Sequence, residues 1–447
     1  MFNAKIDFSK NAGKVKPMHA VNNGPVGSNV RGTSNEKWFK LAGIPYARTH
    51  DSALCASYGG ESIVDVHRIF KNFDADVNDP ASYDFEFTDK YISRIQSVGC
   101  ETFYRLGASI EHYKKIGTHP PKDFQKWAEI CEHIILHYNE GWADGFNFGI
   151  KYWEIWNEPD CLNPDGSTPC WQSTLEHFME LFVITFKHLK GKFPHLKIGG
   201  PALTNIWIEE NNKIVFDAIK KADITIDFFS YHGYAEEPIE YYDGAIKAYE
   251  LLKEYGYDGK TELNLNEWNY IHGWLGDEFI YSLKSIMGLK GSAFTASAFC
   301  AGQRSPLNMM MYYDARPSGF NGMFAPYTVE PLKGYYPFVA FNNLYKMEQS
   351  VESESDNKNL YITAAKENEK IGAMVSYFVD DDNAPTEKIS LDIKNMPFDK
   401  ATVNYYILDK DHDLELIRKE TVSSKDVNLY FDIGLYSTYY IEIEPAK

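Results

Sequence analysis

Two carboxylates stand where short apolar runs break off. Between Lys151 and Asp160, aromatic and branched residues give way at Asn157-Glu158-Pro159. Proline has no N–H for a sheet ladder, so a strand must end there and leave Asn157 and Glu158 at its C-terminal edge. From Thr261 to Tyr270 a second apolar run delivers another carboxylate, Glu267, to a strand end. Two such groups can divide the work of cleaving a glycosidic bond: one protonates the leaving oxygen, and the other attacks the anomeric carbon. The spacing along the chain says nothing of their separation in space, so elements must be found that bring residues 158 and 267 together.

Between residues 14 and 340, short apolar runs alternate with longer segments of helical period, the pattern of a parallel sheet with crossover helices. The spacing predicts strands at Lys14–Asn22, Ile44–Arg48, Thr102–Leu106, Tyr152–Trp156, Lys197–Gly200, Ile226–Tyr231, Glu262–Asn266 and Asn308–Tyr313. Eight strands is the count of a (β/α)8 barrel, whose C-terminal face is the active one. Strands four and seven, which carry Glu158 and Glu267, lie across its mouth. The predicted helices have legible ends: Pro120 and Pro121 open one that runs to Tyr138, Ser173 and Glu176 have capping-box spacing, and Gly99 and Gly191 supply stops. From residue 341 the texture changes to short alternating runs separated by polar clusters, which reads as an antiparallel β-sandwich. The first residues also alternate, so residues 1–13 join residues 341–447 in an accessory domain, and residues 14–340 form the barrel.

Composition excludes several classes. A net charge of −18 repels polyphosphates and anionic membranes, so neither nucleic acid nor a membrane is an expected partner. No apolar run approaches the roughly 18 residues of a membrane span, and the first residues lack the apolar core of a signal peptide, which leaves the compartment open. Six cysteines are too few for a disulfide scaffold in 447 residues and lack zinc-site spacing. Cys161 and Cys170 close a short loop rich in turn residues, so a disulfide there stays open. His133 and His137 lie four apart on a helix without the intervening Glu of a zinc protease. No metal and no cofactor are expected, and oligomeric state cannot be read. The absence of a Gly-x-Ser-x-Gly elbow argues against a serine hydrolase.

Asn157-Glu158-Pro159 on strand four, with a Glu on strand seven, resembles the large clan of retaining barrel glycosidases, and finer matches resemble glycoside hydrolase family 39. Those matches are Ala47 to Asp51 on strand two, Trp153 to Pro159 on strand four, Tyr231 to Tyr234 on strand six, and Asn266-Glu267-Trp268. The resemblance implies Glu158 as acid/base and Glu267 as nucleophile, with a carbohydrate as partner. It implies that Asn157 hydrogen-bonds the sugar 2-hydroxyl, that Arg48 sits beside the nucleophile and keeps it ionised, and that His50, His232 and Tyr234 line the terminal-sugar subsite. Trp268 and Tyr313, at the ends of strands seven and eight, complete the expected substrate-binding set. Burial beside Trp156 would raise the pKa of the acid by disfavouring its charged form.

The family also implies a specificity of the β-xylosidase kind, with arabinosidase or iduronidase-like action as the alternative. Arg316 stands where it could meet an acidic sugar or pair with Asp314. Glu111 and His112 follow strand three and are open between substrate contact and simple solvation. A rival of another class is a glycan-binding barrel without turnover. A barrel lyase or aldolase would want a strand-end Lys or a metal cluster, and the sequence offers neither.

Overall fold

The alternation of apolar runs with amphipathic helices folds as the pattern requires. A computed structural model describes residues 1–28, 33–50, 63–111, 114–368 and 370–446. Eight strands form a closed barrel: β1 (Ala20–Asn22), β2 (Tyr46–Arg48), β3 (Glu101–Leu106), β4 (Tyr152–Ile155), β5 (Lys197–Leu203), β6 (Phe228–Ala235), β7 (Glu262–Tyr270) and β8 (Met309–Tyr312). Every neighbouring pair is parallel, and β8 pairs with β1 to complete the ring.

Inside the ring, Ala20, Phe103, Tyr152, Phe228, Met309 and Met311 form an apolar plug. Above it the inward positions become polar: Asn22, Arg48, Glu154, Asn266 and Glu267. The two layers follow from strand alternation, with Tyr152 and Glu154 facing in while Trp153 and Ile155 pack against the helices.

Several boundaries move. The expected first strand, Lys14–Asn22, is two pieces, because Phe2–Lys14 belongs to the accessory sheet and β1 starts at Ala20. Pro17 lies in the break, where it has no N–H to give a ladder. Both β6 and β7 outrun the expected ends and stay paired as far as Ala235 and Tyr270, so Glu267 sits within β7 and not at its tip. The helix Phe124–Glu140 begins after the two prolines, where Asp123 accepts the Lys126 N–H at 3.0 Å. In Leu175–Lys192 the cap is Thr174, which accepts from His177 N at 3.2 Å, while Ser173 is turned to the His177 ring.

The accessory β-domain is built from one nine-stranded sheet that curls back on itself. The strand Phe2–Lys14 lies inside that sheet, antiparallel to Gln349–Ser355 and parallel to Glu387–Lys394. The sheet curls until its edge strands Asp413–Val422 and Val427–Ile433 approach, and Arg418 Nη1 donates to the Tyr430 carbonyl across the gap at 3.0 Å. Ile6, Phe8, Ile362, Val375, Leu391 and Ile441 fill its core. Among the described residues, no helix is long and apolar enough to cross a membrane.

Candidate active site

The polar layer at the C-terminal end of the barrel is organised around Arg48, which has no solvent exposure. Its Nε donates to Glu154 Oε2 at 2.6 Å and its Nη2 to Asn157 Oδ1 at 2.7 Å. Nη1 donates to Asn22 Oδ1 at 2.9 Å and reaches Glu267 Oε2 at 3.5 Å. One planar cation thereby ties β1, β2, β4 and β7 into a fixed arrangement. Glu154 balances its charge and accepts a second bond from Ser230 Oγ at 2.6 Å and a third from Asn266 Nδ2.

Glu267 receives the Tyr234 hydroxyl at 2.6 Å on Oε1, while His50 Nε2 lies 3.6 Å from Oε2. Burial, and next the charge of Glu267, push the Tyr234 phenol well above its ordinary pKa, so it stays a donor. Glu158 follows β4 at φ 46°, with its N–H on Ala202 O at 2.9 Å. Its Oε1 lies 2.7 Å from His232 Nδ1, which is also 3.5 Å from Glu267 Oε2. Burial pulls the His232 imidazole down to about 4, so the ring is neutral near neutral pH. A carboxylate oxygen of Glu158 and one of Glu267 lie within 4.8 Å of each other, with His232 between them.

Of the residues expected from sequence, Arg48, His50, Asn157, Glu158, His232, Tyr234 and Glu267 converge here. Tyr313 flanks them, with its ring edge-on to His50 at 5.6 Å. Trp268 does not join them. It is fully buried on the outer side of the barrel against Tyr241, Phe299 and Tyr312, because the register shift between Leu265 and Glu267 turns both Asn266 and Glu267 inward. Trp156 is likewise turned away from Glu158, into Trp127, Trp171 and Phe178, with its indole N–H on Cys170 O at 2.9 Å. The neighbours of the Glu158 carboxyl include His232 and Cys170.

Other expectations resolve locally. Arg316 is held by Asp314 at 2.9 Å and donates to the Tyr313 hydroxyl at 3.3 Å. Glu111 fastens its own loop by accepting from the N–H groups of Ile116, Gly117 and Thr118, and His112 lies outside the described residues, as does Asp51. His137 is engaged by Asp89 and by the Trp142 carbonyl, and His133 by the Glu129 carbonyl. Cys161 and Cys170 are free thiols and not a disulfide.

Sequence reasoning passed over Asn22, Glu154, Ser230 and Asn266, which position Arg48. The available signal was a polar residue inside an otherwise apolar strand, which costs free energy unless it is paired. It also passed over Trp274, half exposed, whose ring meets Tyr234 edge-on at 4.9 Å.

The fold is similar to that of barrel glycosidases of known structure. The profile of glycosyl hydrolases family 39 matches residues 45–259. It is 25% identical over 197 residues to a β-xylosidase of Geobacillus stearothermophilus, a match that spans 39% of this chain and 36% of that one. The match thus covers about a third of the curated relative's length. Among solved structures, a glucosidase from Croceicoccus marinus superposes with a TM-score of 0.82 at 18% identity, covering 100% of this chain and 99% of that one. A monomeric β-xylosidase from Caulobacter crescentus gives 0.72 at 15%, with both chains covered completely. At those identities the structural likeness speaks for the fold alone.

Proposed function

We propose that this protein hydrolyses a glycosidic bond with retention of configuration, through a covalent glycosyl-enzyme, and releases a terminal pentose or related sugar. The observation that carries the reading is that one carboxylate oxygen of Glu158 and one of Glu267 lie within 4.8 Å of each other. Retaining enzymes hold their carboxyl groups about 5–5.5 Å apart, whereas inverting enzymes need roughly 6.5–9.5 Å to admit a water.

In the first step Glu267 bonds to the anomeric carbon as the glycosidic C–O bond breaks, and Glu158 gives its proton to the leaving oxygen. In the second, water attacks the same carbon, Glu158 takes its proton, and Glu267 leaves. A neutral His232 suits Glu158 to both roles, since it sets no cation against the carboxyl. Asn157, with Oδ1 on Arg48, has its amide NH2 to offer the 2-hydroxyl, where a bond strengthens as charge develops. His50, Tyr234 and Tyr313 line the terminal-sugar position, and the half-exposed face of Trp274 suits the C–H surface of a sugar.

The β-xylosidase specificity draws on the names of the relatives, and arabinosidase action is its nearest alternative. The pairing of Arg316 with Asp314 weighs against recognition of an acidic sugar, since that guanidinium already has its carboxylate.

The test is hydrolysis of para-nitrophenyl β-xyloside, β-glucoside and α-arabinofuranoside by wild type and by Glu267→Ala, with and without azide. The expected result is one sugar turned over by wild type, abolished in Glu267→Ala, and recovered with azide as a glycosyl azide of inverted anomeric configuration. Turnover that persists in Glu267→Ala without azide would sink the assignment. Tight oligosaccharide binding without turnover would instead favour the binding-only barrel.

A further inference from the structure

The loop that follows Glu158 brings two thiols back to that carboxylate. Cys161 N–H bonds to the Glu158 carbonyl at 3.0 Å, which fixes the start of the loop. Asn163 N bonds to Ser167 O at 2.8 Å and Gly166 N to Asn163 O at 2.9 Å, so the chain reverses. Cys170 returns with its carbonyl held by the Trp156 indole at 2.9 Å. One ligand atom from each of Glu158, Cys161 and Cys170 then lies within 4.8 Å of the other two, and Cys170 Sγ is 3.9 Å from Glu158 Oε2.

We propose that Cys161, Cys170 and Glu158 form a binding site for a thiophilic divalent cation, Zn2+ or Cd2+, whose occupancy removes Glu158 from proton transfer. Tetrahedral zinc holds thiolate sulfur at about 2.3 Å and carboxylate oxygen at about 2.0–2.2 Å, so its ligand atoms stand roughly 3.5–3.8 Å apart. The present separations need only small side-chain rotations to reach that spacing. The fourth position falls to solvent, and the side chain of Glu158, 16% exposed, opens the site to the cleft. Glu158 Oε1 lies on His232 and Oε2 on the cysteine side, so the ion takes the oxygen that the imidazole does not. Binding converts two thiols to thiolates and releases two protons, and affinity therefore rises with pH.

The experiment is titration of the whole chain with Cd2+ under a non-thiol reductant, read by thiolate-to-cadmium charge-transfer absorbance in the ultraviolet. One equivalent should saturate the signal, Cys161→Ser and Cys170→Ser should each remove most of it, and Glu158→Gln should keep it at weaker affinity. Hydrolysis, normalised to the metal-free rate of each variant, should be inhibited by Zn2+ in wild type, restored by chelator, and require at least ~10-fold more metal in Cys161→Ser, a cost of ~1.4 kcal/mol or more in binding. No absorbance, or absorbance unchanged in the Cys161→Ser, Cys170→Ser double variant, would overturn the proposal. The absorbance arm needs no turnover, so it stands or falls separately from the proposed hydrolysis.

Discussion

Glu154 carries more of the site than either proposed catalytic carboxylate, although it lies out of reach of any substrate. With no exposure, it balances the buried Arg48 cation and accepts from Ser230 and Asn266. Glu154→Gln leaves Arg48 without its closest counter-charge, and breaking such a buried pair costs about 3–5 kcal/mol. We expect a urea unfolding midpoint lowered accordingly, and a lower kcat, because Arg48 also orients Asn157 and Glu267. A fold as stable as wild type would mean that the charge is compensated elsewhere.

Tyr234→Phe is expected to act differently. It removes a single charge-assisted bond to Glu267, worth about 1.5–3 kcal/mol, with no cavity. kcat/KM should drop by roughly 10- to 100-fold, with a stability loss no larger than the worth of that bond; equal kcat/KM would show that the phenol is idle. At this scale the sequence was legible wherever a residue sits at a punctuated strand end, as Glu158 does before Pro159. The role of Glu154 was illegible because its partner Arg48 lies on another strand, far away along the chain.

Elements hold these residues through a few tight passages. At Gly107, just past β3, φ is +126°, and an added Cβ would lie 2.9 Å from the Trp156 ring and 3.0 Å from its Cα. Gly107→Ala strains the backbone and pushes β4 at the point that aims Glu158, so a loss of about 1–3 kcal/mol is expected in thermal unfolding. Helix Tyr336–Tyr345 closes over His19, whose ring meets Phe341 and Tyr345.

Burial lowers the His19 pKa to about 3. Between the unfolded value near 6.5 and that folded value, the unfolded chain binds a proton that the folded chain does not. Stability therefore falls as pH drops through this window, by up to ~1.4 kcal/mol per pH unit, and is unaffected above it. His19→Phe should flatten this acid limb in a series of unfolding curves, and an unchanged slope would assign the limb to other groups. Element order and type followed from periodicity, but the phase of β7 did not. Simple alternation puts Asn264, Asn266 and Trp268 on one face, and the register shift before Glu267 reverses this for Trp268.

Across the whole molecule, the two ends of the chain depend on each other. Ile6, fully buried, comes from the first strand yet packs in a core built mainly from the last hundred residues. Ile6→Ala should cost about 2–5 kcal/mol, and the loss should register in the unfolding of the accessory sheet, followed by the tyrosine environment of Tyr377, Tyr405 and Tyr439. What the sequence determined by itself was short-range: which runs are strands, where proline and glycine stop them, and that two glutamates end up on strands of one barrel. Those signals depend on local backbone preference and on the period of side chains, which neighbours along the chain suffice to set. Only the tertiary structure decided that oxygens from residues 158 and 267 approach within 4.8 Å, that one arginine joins four strands, and that two thiols flank Glu158. Each of these is a distance across the barrel mouth or between a loop and a strand, and such distances follow from closure and register of the whole ring.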